Sequence, residues 1–307
     1  MTSVEPDDDL SLRCAVWTQA QGVDPIGSAP AFDALVLVEH PLPWPHDVSE
    51  LPLFAGRSAP GVRLMAVVPE DRPRQAGHRL VVHRRRTGTN HLAGTDHSVP
   101  ERDLPALLDD LLAAPLEDHR DRPSALGASP PEVLVCAHGR RDPCCGRWGT
   151  LLHVELGARW SDVRIWRCSH TGGHRFAPTA VTLPDGRAWA YVEPDLLDQV
   201  VRRRGPLPPL AAHDRGTSAL SPFAQVVERA VFHALGWDWL DQSLTAVEEH
   251  RDDDGKAASV TLRWPGGSAT GRVVVDRMVP VLVCGEPPEA ATKSSPDLAL
   301  VDLVLDA

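Results

Sequence analysis

Two short segments carry the residues that could do chemistry. Residues 136–146 read Cys-Ala-His-Gly-Arg-Arg-Asp-Pro-Cys-Cys-Gly, and residues 170–174 read His-Thr-Gly-Gly-His. Three of the six cysteines fall between Cys136 and Cys145, a clustering that favours metal or redox chemistry. The intervening Arg140 and Arg141 make the loop cationic, which lowers thiol pKa and favours thiolate ligands. Gly172-Gly173 weakens any helix between the two histidines, so a turn must present His170 and His174. Two thiolates and two neutral imidazoles suit a metal centre of mixed sulfur and nitrogen ligation. A structural Cys2His2 zinc is one such centre, although the cysteine spacing is wider than zinc modules use. A [2Fe–2S] cluster with two cysteines on one iron and two histidines on the other is another. A thiol–disulfide pair of Cys136 with Cys144 or Cys145 is a third, without the C-x-x-C at a helix start that activates such thiols.

These residues are held by recognisable elements. The apolar run 132–135 predicts a short strand ending on Cys136. Residues 149–160 read as a helix, 162–167 as an alternating strand, and 177–183 and 187–192 as a hairpin about Pro184-Asp185-Gly186. Residues 194–204 read as a helix with Pro194 and Asp195 at its start and Gly205 after it. The order strand, helix, strand, His loop, two strands, helix is thioredoxin-like. Upstream, strands at 34–39, 61–68 and 79–83 and a helix at 103–113 follow a similar order, so the two halves could be an internal repeat. The segment 122–131, with three prolines, reads as a linker. Beyond a Pro-rich stretch at 205–210 come a helix at 221–235 and strands at 244–249, 257–264 and 271–284. The tail after 287 reads as flexible, with 298–305 able to add a strand.

The fold class is therefore α/β in the mixed-sheet, α+β sense. Residues 1–125 form a thioredoxin-like half without the paired cysteines and histidines, and 126–210 a thioredoxin-like domain that carries them. Residues 211–307 form a small α+β extension with no evident chemistry. A net charge of −11 argues against nucleic-acid binding, which draws its affinity from neutralised phosphates. No stretch approaches the ~18 apolar residues of a membrane span. The acidic segment Met1 to Leu10 lacks the apolar core of a signal peptide, so a cytoplasmic protein is expected. Other donors read as structural: Cys168 as a buried strand-end residue, Cys14 and Cys284 as core or incidental. His138 reads as a solvated loop residue, and Arg141-Asp142 as a local ion pair.

The pattern Cys136-x-His-Gly-x-Arg-Asp-x-x-Cys145-Gly, followed by His170-Thr-Gly-Gly-His174-Arg-Phe-Ala, resembles the sucrase/ferredoxin-like family. That family is related to thioredoxin-like [2Fe–2S] ferredoxins and includes the fungal actin-patch-distal-type proteins. The resemblance covers roughly residues 10–205, with Glu39-His40-Pro41 and Trp44 similar to the family's N-terminal part. It implies a [2Fe–2S] cluster with Cys136, Cys145, His170 and His174 as ligands. Position 144, commonly arginine in the family, is here Cys144, which makes it the alternative to Cys145; the Cys-Gly step matches at Cys145. The implied activity is one-electron transfer, an electron carrier more than a stand-alone enzyme, working with a redox partner protein (a reductase or an acceptor). Histidine ligation implies a potential towards the range of about −150 to +300 mV, with proton-coupled reduction. Ferredoxins of this kind are often dimers, which puts a homodimer among the expectations. No recognisable pair of carboxylates supports glycoside hydrolysis.

Overall fold

In the computed structural model, residues 13–70, 77–86 and 90–307 are described; the acidic Met1 to Leu10 segment lies outside them. A short helix α1 (Cys14–Ala20) precedes strands β1 (Ala34–Glu39), β2 (Val62–Val67), β3 (His78–Arg85) and β4 (Leu92–Val99). Helix α2 (Leu104–Ala113), β5 (Ala125–Ala128), β6 (Glu132–Cys136), α3 (Pro143–Arg159) and β7 (Arg164–Cys168) follow. Next come β8 (Ala180–Leu183), β9 (Arg187–Trp189), α4 (Pro194–Val201) and β10 (Asp214–Thr217). The chain closes with α5 (Pro222–Leu235), β11 (Ala246–Arg251), β12 (Ala257–Trp264), β13 (Gly267–Pro280) and β14 (Ser294–Asp306).

The first ten strands form one mixed sheet in the order β10-β9-β8-β6-β7-β2-β1-β3-β4-β5. Read outward from the β7/β2 junction, the order is the same in both directions. β1 is parallel to β2 and antiparallel to β3, just as β6 is parallel to β7 and antiparallel to β8. Each half also carries a helix after its fourth strand, α2 in one and α4 in the other. The internal repeat expected from element order is thus visible in the strand pairing. At the junction the halves share one antiparallel bridge, Val67 opposite Cys168.

That narrow junction lets the sheet curl. Three strands separate β3 from β6, which would hold them about 19 Å apart in a flat sheet. Yet His83 Nε2 of β3 lies 2.6 Å from Glu132 Oε2 of β6. The two half-sheets therefore face each other. Alternate residues of β1 and β6 sort accordingly: Leu35, Leu37 and Leu134 fill the shared interior. Val36 and Val38 turn outward to α2, and Val133 and Val135 turn outward to α3 and α4. Strands covered on both faces have no polar side to show, which explains the unbroken apolar runs of β1 and β6.

Several boundaries differ from the sequence reading. The helix expected at 149–160 begins at Pro143, because Asp142 caps it and Pro143 suits the first helical position. The stretch read as a linker contains β5, an edge strand on β4. α1, β4 and β10 carry no clear periodicity and were not expected. The tail is ordered as β14, paired with β13 along its length in the antiparallel sheet β11-β12-β13-β14.

Helix α5 joins that second sheet to the large one. Its buried Glu228 accepts from Arg187 of β9 and from Trp239 Nε1 at 2.7 Å, while Arg187 Nη1 donates to Asp214 of β10 at 2.5 Å. The Arg187 guanidinium also stacks over Phe232, 4.6 Å from the ring centre. Arg187→Met leaves two buried carboxylates without their cation, and should lower unfolding free energy by about 3–5 kcal/mol in urea titrations. Arg272→Ala, which breaks an exposed pair with Asp252, should leave the urea midpoint almost unchanged.

Burial, with His119 and Arg122 nearby, pushes His97 down to about 4. The unfolded chain takes up this proton near pH 6.5 and the native chain only near 4, so stability must fall as pH drops through that window. His97→Gln should flatten that part of the stability–pH curve measured by thermal denaturation.

Candidate metal centre

Strand β6 delivers Cys136 fully buried at its C-terminal end, opposite Cys168 of β7. The chain then turns through 137–142, with the amides of Arg141 and Asp142 both bonding to the carbonyl of His138 at 3.1 Å. Asp142 Oδ1 accepts the amides of Cys144 and Cys145 at 2.9 and 3.2 Å, and so starts α3 with both cysteines in its first turn. Arg141 is not its ion partner but reaches toward His46 and Asp47 instead. α3 sits hard against the end of β6: a Cβ on Gly149 would stand 1.8 Å from the carbonyl oxygen of Cys136. Only glycine permits that approach, and it sets the distance between the two cysteine positions.

The histidine loop leaves β7 at Cys168. Ser169 ties it to β2, its amide bonding Ala66 O at 2.8 Å and its hydroxyl accepting Ala66 N–H at 3.1 Å. Gly173 has φ +67, and a Cβ there would lie 2.5 Å from Arg215 Nη2. Arg215 Nη1 donates to Gly172 O at 3.0 Å, and Arg63 Nη2 to His170 O at 2.6 Å. Two arginines thus brace the turn, one from each half of the sheet.

Cys145, His170 and the backbone of Thr171 are the groups that act on the Cys136 thiol. The His170 and His174 ring centres are 6.1 Å apart and the rings are tilted by 45°. His174 Nδ1 lies 3.1 Å from Asp142 Oδ2, so its Nε2 is the nitrogen open to a metal. The buried His170 Nδ1 has no hydrogen-bond partner among the described residues. Cys144, one position earlier on α3, faces the other way: its sulfur is 3.1 Å from that of Cys284. His138 is buried rather than solvated; its Nε2 is 2.8 Å from Pro45 O and its ring is edge-on to Trp44. Cys168 is buried beside Cys136, and burial pushes its thiol up.

Electrostatically the centre is prepared for negative charge. The contact with Cys145, reinforced by His170, holds the Cys136 thiol well below its usual range, while the same contact and burial push Cys145 up. Burial lowers Arg63, and takes Arg215 to about 10. Among the described residues neither makes an ion pair with a carboxylate; Cys136 lies near both, with Cys168 near Arg63 and Cys145 near Arg215. Buried cations left without partners are costly, so this arrangement fits an anionic group bound at the cysteines.

A second group of donors adjoins the first. The ligand atoms of Cys14, Asp142, Cys144 and Cys284 all lie within 4.8 Å of one another, a set able to hold a metal. Cys14 and Cys284 read from the sequence as core or incidental, and no spacing could have joined them across 270 residues.

The model of the sucrase/ferredoxin-like family matches residues 25–208, and the chain belongs to that family. No curated protein and no solved structure matches it.

Gly149→Ala should force α3 off β6 and lower stability by about 1–3 kcal/mol in urea titrations. Gly157→Ala, on the same helix with open space around it, should be stabilising by up to about 1 kcal/mol.

Proposed function

We propose that the protein carries single electrons on a [2Fe–2S] cluster held by Cys136, Cys145, His170 and His174. The observation that carries this reading is the meeting of the Cys136–Cys145 pair with the two-histidine turn, beside buried arginines that lack carboxylate partners. When bound, such a cluster takes up and returns one electron, at a potential that histidine ligands raise. Cys145 is favoured over Cys144 as ligand because it is the one in contact with Cys136. Asp142 holds the proton of His174 at Nδ1 and orients the ring, as carboxylates do behind metal-bound histidines. Proton-coupled reduction follows from imidazoles that can release that outer proton.

The cysteines are buried, whereas the His174 side chain is 24% exposed. A cavity of about 280 Å³ reaches His170, lined also by Arg63, Arg141, His46 and Asp47. We place the partner reductase or acceptor on this histidine side. All six cysteines are free thiols and no described helix is long and apolar enough to cross a membrane, which supports a cytoplasmic carrier.

The thiol–disulfide reading gains one observation, since Cys144 and Cys145 do begin a helix. Against it, Cys136 and Cys145 are fully buried, where a substrate thiolate has no access.

Protein purified without air should be brown, contain iron and sulfide in equal amounts, and lose both in Cys145→Ser but not in Cys144→Ser. His174→Cys should keep a cluster, lower its potential and remove most of its pH dependence in redox titrations. A colourless, iron-free protein with a titratable Cys136–Cys145 disulfide would support the thiol reading instead.

A further inference from the structure

We propose that Cys14, Cys144, Cys284 and Asp142 bind one zinc ion, at a second site beside the Cys136 centre. The proposal does not depend on what the Cys136 centre holds.

The three sulfurs meet at one point. Cys284 Sγ is 3.1 Å from Cys14 Sγ and 3.1 Å from Cys144 Sγ, and Cys14 Sγ is 3.3 Å from Asp142 Oδ2. Zinc–thiolate bonds of about 2.3 Å place the sulfurs of a tetrahedral centre roughly 3.8 Å apart. A disulfide needs about 2.05 Å. The observed spacing reaches the zinc geometry with sulfur shifts of a few tenths of an ångström. A disulfide would take two of the three thiols and leave the third, with the carboxylate, unused. Three thiolates and one carboxylate are instead a complete four-ligand set, and thiolates select zinc over hard cations.

Asp142 has an oxygen to give. Its Oδ1 is taken by the amides of Cys144 and Cys145, while Oδ2 faces Cys14 and His174. Cys14, Cys144 and Asp142 are buried, and Cys284 is half-buried, so the ion can reach the site past Cys284. The ligands come from the start of α1, the start of α3 and the segment after β13. A zinc ion here would clip the two ends of the described chain onto the helix that carries Cys145. Closing a loop of this length is where a metal clip gains most over the unfolded chain.

The test uses the full chain, dialysed against excess chelator under anaerobic reductant and then titrated with zinc or cobalt. One zinc per chain that is lost in Cys14→Ser is expected, and Co2+ should give the intense visible bands of a tetrahedral thiolate site. Cys14→Ser and Cys284→Ala should weaken zinc binding by about 100-fold or more, beyond what loss of a merely orienting residue costs. Any visible absorption from the Cys136 centre should persist in both. Cys284→His, which restores a donor, should recover most of the affinity and controls for misfolding. Zinc binding unchanged in Cys14→Ser and Cys284→Ala, no zinc or cobalt bound by the wild type, or a Cys284 disulfide persisting under reductant would each overturn the proposal. Loss of the chromophore in Cys145→Ser with zinc retained would leave it standing, whatever becomes of the electron-transfer reading.

Discussion

The centre depends on one side chain, the Asp142 carboxylate. One of its oxygens accepts two backbone amides and thereby starts α3, which brings Cys145 to Cys136 and turns Cys144 away. The other oxygen holds His174 Nδ1 and fixes which ring nitrogen is open. Capping alone is worth about 1 kcal/mol to a helix. Here the same contact also sets which cysteine faces which neighbour, so a small local energy decides the donor geometry. The close seat of α3 on β6 at Gly149 makes that placement rigid, since neither backbone can retreat without unpacking Leu152 and Leu156 from the core.

The half without ligand cysteines has a structural share in the site. Pairing of β2 with β7 joins the two halves, and from β2 come Arg63 and the Ala66 bonds that steady the histidine loop. Arg215, from the far edge strand β10, reaches the same loop from the other side. The two arginines lend positive charge to the buried cysteine centre. The repeat therefore supplies the centre's second wall, and the C-terminal sheet is locked to it through Arg187 and Glu228.

Much of this was legible in the sequence because the signals were local. The strand ending on Cys136, the Gly-Gly turn between the histidines and the Pro-Asp-Gly hairpin all stand where their residue types require. The doubled order of elements was also readable, although β4 and β5 were not. What escaped depended on contacts distant in sequence. β10, Asp-Arg-Gly-Thr, reads as a polar loop, yet it is buried because Asp214 and Arg215 find partners on β9 and on the segment before β1. The start of α3 was obscured by Gly146 and Gly149, which weaken a helix by propensity but are placed there for close approach. Cys14 and Cys284 gave no sign of a common site, since only the folded chain brings its two ends together.

The proposed sharing of one redox centre by two histidines and two cysteines is read most directly by hyperfine spectroscopy. Protein with 15N-labelled histidine, purified without air and reduced with dithionite, should show an electron-spin signal coupled to two inequivalent histidine nitrogens. A reduced cluster with no coupled histidine nitrogen, or a protein with no such signal at all, would contradict it.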